Sequence, residues 1–186
     1  MRRRLVAAAI GAALSAGVPH AVTAQDHRPV DRAAAQLALA NAFVGRWTLD
    51  TARTIAPDPR DRLATGGSAS DAMAITALLR PPTTLVISAA DLTITITPDP
   101  GVPESVFPDD RPVTDTLLDG QERVIRARWD KDRLVVERRL TGVARVRESY
   151  RIDSGKALIV DLELDSDNFS GKFEEKLIYR STGRPR

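Results

Sequence analysis

Two charged residues interrupt otherwise apolar alternation, and they are the first places to look for chemistry. Arg138 falls in step with Leu134, Val136 and Leu140, and Glu148 in step with Val146, Tyr150 and Ile152. Residues two apart on a strand share a face, so each charge would project among apolar side chains. An arginine and a carboxylate placed this way can anchor the head group of an amphipathic ligand. They can equally form a structural ion pair, because stranded interior charge is costly unless paired. Glu148 and Glu175 are the inward carboxylates available for glycosidase-type acid–base work, which needs a spacing of about 5–10 Å. Nothing else in the chain supports that hydrolase chemistry, and no catalytic residue is assigned.

Other chemistries lack their usual parts. The chain has no cysteine, which excludes disulfides, thiolate catalysis and lipidation at a post-leader cysteine. Its two histidines are His20 and His27, both near the N-terminus, so histidine triads and zinc sites are not expected. The alternating acids Asp161, Glu163, Asp165 and Asp167 invite a calcium reading. An EF-hand loop starting at Asp165 would need a glycine where Ser170 stands, so the match fails. Arg145, Arg147 and Lys176 would face these acids across neighbouring strands, which reads as a solvated, charge-paired surface. No metal and no cofactor is expected.

The first 24 residues follow the grammar of a Sec-type signal peptide. Arg2, Arg3 and Arg4 form the basic region and Leu5 to Val18 the apolar one, followed by Pro19 and a small-residue site at Val22-Thr23-Ala24. Cleavage near Ala24/Gln25 would make the protein periplasmic or secreted, with no integral membrane segment remaining. Three of the 27 basic residues belong to this leader, leaving 24 against 25 acidic ones. Near-neutrality offers no electrostatic case for nucleic acid. Of the 186 residues, 162 would remain, enough for one domain with its own core.

The elements that must carry these side chains are mostly strands. Residues 25–42 are expected as a tail and a short helix, alanine-rich from 31, with Asp31 as N-cap and Leu37 on one face. Segments 57–82 and 97–112 are rich in Pro and Gly and are expected as long loops. The first should hold a short helix capped by Ser70 or Asp71, and the second a short edge strand around Val106. The rest alternates with period two. Ile87 is expected opposite Leu92, and Leu85 opposite Ile94. Trp129 should face Leu134 around a Lys131-Asp132 turn, with Ala127 opposite Val136 inside and Arg126 opposite Glu137 outside. A loop at Thr141-Gly142-Val143 would set Val136 against Glu148 and Arg138 against Val146. Around Gly155, Ile152 faces Leu158, Tyr150 faces Val160, and Glu148 faces Leu162, with Leu177 then opposite Val160. A one-residue slip would invert both faces, so these registers support one another. About eight to ten such strands must close on themselves to protect their edges, and an up-and-down antiparallel barrel is the simplest closure. The expected class is all-β, with the barrel over 43–181 and a tail at 182–186.

Gly45-Arg46-Trp47 on the first strand is similar to the G-x-W opening of lipocalin-like barrels. In that family the tryptophan plugs one end, and an arginine near the end of the last strand packs over it. Arg180 stands in the corresponding place. More closely, the chain resembles a group of uncharacterised exported bacterial lipocalin-like (calycin-type) β-barrel proteins. The shared features are Trp47/Leu49, Pro81-Pro82, Trp129 to Glu137, and Glu148/Tyr150. The resemblance implies structural roles for Gly45, Trp47 and Arg180.

The function expected is binding of a small apolar or amphipathic molecule in the barrel interior. Arg138 and Glu148 are the candidate polar anchors, with Trp129, Tyr150, Ile94, Ile125, Val136 and Val160 as candidate lining. A non-enzymatic envelope protein with a filled core, acting through its surface or loops, is the alternative. A hydrolase using carboxylates stands third. No protein partner can be read from the chain.

Overall fold

The computed structural model describes residues 28–54, 80–116, 120–141, 144–166 and 173–183. A helix, α1 (Arg28–Phe43), precedes ten strands: β1 (Gly45–Leu49), β2 (Thr84–Ala90), β3 (Thr93–Asp99), β4 (Glu104–Val106), β5 (Val113–Thr116), β6 (Glu122–Asp130), β7 (Arg133–Leu140), β8 (Ala144–Ile152), β9 (Leu158–Asp165) and β10 (Phe173–Gly183). All belong to one antiparallel sheet in the order β4-β3-β2-β1-β10-β9-β8-β7-β6-β5. Sequence neighbours pair except for β4 with β5, and β1 also pairs with β10. The meander therefore curls into a nearly closed barrel, with β4 and β5 as the two edges that do not form a ladder with each other.

The chain between those edges spans the gap. Asp109 makes an isolated bridge to Arg128 on β6, and the Asp110 amide donates to the Ala127 carbonyl at 2.7 Å. Arg126 Nη1 donates to the Asp110 carbonyl at 2.9 Å. These contacts occupy backbone groups that would otherwise be an exposed edge.

Most strand registers follow from the period-two pattern. Trp129 faces Leu134, Ala127 faces Val136, Val136 faces Glu148, Arg138 faces Val146, Tyr150 faces Val160, and Leu177 faces Val160. The β2–β3 hairpin differs from expectation. Ile87 pairs with Ile96 and Ala89 with Ile94, closing a two-residue turn at Asp91-Leu92. Asp91 adopts φ 53°, a left-handed conformation that aspartate tolerates and that tight hairpins require. The shift is an even number of residues, so the faces survive it, but Leu92 moves to solvent at 52% exposure.

Other boundaries move less. The helix begins at Arg28, which puts Asp31 inside it rather than at its cap. The strand at Val106 is present as β4, while β3 runs to Asp99 and β5 is an additional strand. The helix expected from Ser70 or Asp71 lies outside the described residues, as does most of 57–82.

One end of the barrel is filled. α1 buries Ala40 and Phe43 there, and the Phe43 ring lies 5.8 Å from that of Trp129 at 47°. Trp47 is buried and donates its Nε1–H to the Phe43 carbonyl at 2.9 Å, satisfying the indole and a helix-end carbonyl together. A Cβ on Gly45 would stand 3.3 Å from that Nε1, so glycine gives the indole its room. Ile87, Ile94, Val106, Ile125 and Leu134 complete this core. Each such side chain contributes roughly 1.5–3 kcal/mol by leaving water.

Arg180 does not pack over Trp47. It is the partner of Thr48, which together with it points away from the interior, and its side chain is 69% exposed. Its Nε pairs instead with Asp50 at 3.2 Å. Strand parity decides this: Tyr179 takes the inward position next to it, and the helix covers the tryptophan.

Candidate functional site

Away from α1 the interior changes character. Along β6 the inward positions run from Trp129 through Ala127 and Ile125 to Arg123, and along β4 from Val106 to Glu104. A cavity of about 300 Å³ opens at this end. Leu85, Ile96, Pro98, Val160 and Leu177 form its apolar wall, and Tyr179 donates its hydroxyl to the Pro82 carbonyl at 3.2 Å beside it. Val102 and Arg80, both exposed, contribute at the mouth.

Four strands bring charge to the cavity. Arg138 Nη1 donates to Glu148 Oε2 at 2.7 Å, its Nη2 to Glu104 Oε1 at 2.7 Å, and its Nε to both Glu104 oxygens at 2.9 and 3.1 Å. Arg123 Nη1 lies 3.3 Å from Glu104 Oε2, while its Nε and Nη2 bond Asp115 at 3.0 and 2.5 Å. The Tyr150 hydroxyl donates to Glu148 Oε2. Burial alone would lower the Arg138 pKa, but Glu148 and Glu104 outweigh it and hold the guanidinium charged, well above its ordinary value. Burial, then the Glu148 charge, pushes the Tyr150 phenol well up, so it remains a donor. Bidentate arginine–carboxylate geometry of this kind is the form in which buried charge is best tolerated.

The expected lining residues divide between the two ends. Arg138, Glu148, Tyr150 and Val160 line the cavity. Trp129, Ile94, Ile125 and Val136 do not; they belong to the packed core under α1 or lie against it. They share the inward face with the cavity residues, and alternation alone carries no information about depth along the barrel. Arg123, Tyr179 and Glu104 are among the cavity residues that the candidate set does not contain. Arg123 and Tyr179 were within reach of the pattern, being two residues from Ile125 and Leu177 on their strands. Glu104 lies two residues from Val106 on the short edge strand expected there, but three residues in a Pro-rich stretch carry too little alternation to assign its face.

Glu175 is buried on the inward face of β10, and among the described residues its Oε1 has no hydrogen-bond partner. Burial pushes its pKa up to about 7. It does not line the cavity, so Glu148 and Glu175 are not brought together in one cleft.

On the outer face, the expected cross-strand pairs are partly re-partnered. Arg147 meets Glu163 at 3.7 Å, while Asp161 is shared by Arg151 and Lys176. Arg145 turns from Asp165 to Glu137 at 2.6 Å, and Arg139 joins it at 3.1 Å. Glu137 is buried beneath these two arginines. Its burial raises its pKa, and the two hydrogen bonds more than offset that, holding it below the ordinary value. Among the described residues no group of three or more His, Cys, Asp or Glu is placed to hold a metal ion; Asp167 lies outside them.

No protein-family model matches the chain, and no curated protein sequence matches it. Solved structures do match in fold. Apo lipid binding protein 8 of Caenorhabditis elegans superposes with a TM-score of 0.53 at 12% identity, covering 76% of this chain and 96% of that one. A secretary abundant heat soluble (SAHS) protein from Ramazzottius varieornatus gives 0.50 at 15%, over 76% and 96%. A structure titled REP1-NXSQ fatty acid transporter gives 0.50 at 13%, over 78% and 99%. At these identities the likeness is one of fold: an antiparallel barrel of the kind seen in lipid-binding proteins.

Proposed function

We propose that this protein binds a small apolar or amphipathic molecule inside its barrel, at the end away from α1. The observation that carries this is the cavity of about 300 Å³, apolar on one wall and lined on another by the Arg138–Glu148–Tyr150 cluster. That volume is at the small end of ordinary ligand sites. The similarity in fold to proteins described as lipid binding and fatty acid transporting supports the same reading. Native mass spectrometry and calorimetry with medium-chain amphiphiles test it. Val160→Trp, which fills the cavity, should abolish binding while keeping the fold. No retained molecule and no thermal shift across lipids and isoprenoids would overturn the proposal.

A barrel that acts through its surface or loops is the second reading, favoured by the filled end under α1. In that case Val160→Trp would leave its biological role intact.

Export to the periplasm or the medium is part of the same proposal, supported by the leader-like residues 1–24. No helix among the described residues is long and apolar enough to cross a membrane. The mass of the protein recovered from its own cells should begin at Gln25; an intact N-terminus would contradict export.

A further inference from the structure

Resting on the cavity-binding reading, we infer that the ligand carries a non-anionic, hydrogen-bond-donating head group, an alcohol or an amine, and not a carboxylate. Each nitrogen of both inward guanidiniums already faces a carboxylate of the cluster. Arg138 gives its Nε and Nη2 to Glu104 and its Nη1 to Glu148. Arg123 gives its Nε and Nη2 to Asp115 and its Nη1 to Glu104. Three carboxylates thus share two guanidiniums, and among the described residues the cluster has no spare cation for a fourth.

The acceptor side is open. Glu148 Oε2 receives both Arg138 and the Tyr150 hydroxyl, whereas among the described residues Oε1 of the same carboxylate receives no hydrogen bond. Glu148 lines the cavity, so a ligand hydroxyl or ammonium can donate to that oxygen. A ligand carboxylate there would be a buried anion beside another, which is strongly unfavourable without a counter-charge. Arg80 is the remaining cation on the cavity lining, and it is exposed at the mouth, where water screens it.

The test compares three ligands with one tail: 1-decanol, decylammonium and decanoate, titrated into the full chain by calorimetry at pH 8. The alcohol, the amine or both should bind about tenfold or more tightly than decanoate. Decanoate binding as tightly as both of the others, or more so, overturns the head-group inference and leaves cavity binding standing. If none of the three binds, cavity binding itself fails. A Glu148→Gln variant should narrow the preference over decanoate, since it removes the repelling charge. Should that variant not fold, the same comparison on Tyr150→Phe replaces it. Freed of its Tyr150 donor, Glu148 becomes the stronger acceptor, so the preference should widen; an unchanged ratio would count against Glu148 as the contact.

Discussion

Arg138 on β7 and Glu104 on β4 meet across the seam of the barrel, 34 residues apart in sequence, through three hydrogen bonds of 2.7–3.1 Å. Neither strand pairs with the other, and β4 and β5 share no ladder. Side chains therefore join what the backbone leaves open, and Arg123 adds a second link from β6. The ion cluster is at once part of the cavity lining and a clasp on the sheet edge.

Removing one partner should be expensive because it leaves its mate buried and unpaired. Arg138→Met or Glu104→Leu is expected to cost about 3–5 kcal/mol in urea unfolding. The double variant should lose less than the sum, with a coupling of about 1–3 kcal/mol. Strict additivity would show that the pair does not act as a clasp.

Trp47 and Arg180 should behave differently. Trp47→Ala removes a buried indole together with its bond to Phe43 and is expected to cost about 3–5 kcal/mol. Arg180→Ala removes the exposed arm of an ion pair whose other side, Asp50, is buried, and about 1–2 kcal/mol is expected for leaving that carboxylate without its donor. Equal losses in denaturant titrations would reinstate the arginine as part of the plug.

Glu175 makes stability fall as pH rises. Its folded-state pKa is pushed up to about 7 by burial, against ~4.3 for a free glutamate. Between those two values the unfolded chain releases a proton that the folded chain keeps, so ionisation favours unfolding. The stability lost between about pH 4.5 and 7 is on the order of 3 kcal/mol. Glu175→Gln should remove that slope; a mutant with the wild-type pH profile would assign the dependence elsewhere.

The β2–β3 turn offers a direct test of register. With Asp91 in a left-handed conformation and Leu92 exposed, Leu92→Gly should change stability by no more than about 0.5 kcal/mol. Were Leu92 paired with Ile87 inside the barrel, the same change would cost about 2–5 kcal/mol as a core truncation. Thermal denaturation distinguishes the two.

What the chain declares by itself is local. Alternation places Leu134, Val136, Arg138 and Glu148 on one face, and short turns at Lys131-Asp132 and Gly155 set registers whose correctness shows in both faces at once. That was enough for the meander, for its closure and for the meeting of Arg138 with Glu148. Period two has no term for height along the barrel axis. Trp129 and Tyr150 therefore look alike in sequence, although one packs on Phe43 and the other borders the cavity. Which end fills depends on how much bulk arrives from several strands and from α1 at one level, a sum taken over residues far apart in the chain. Arg180 and Glu104 show the same limit. Likeness places the first inward whereas strand parity turns it outward, and the second reaches the site from a strand too short to show which face it presents. Only the closed tertiary structure brings Glu104 to Arg138, because the seam they span does not exist until the sheet has curled.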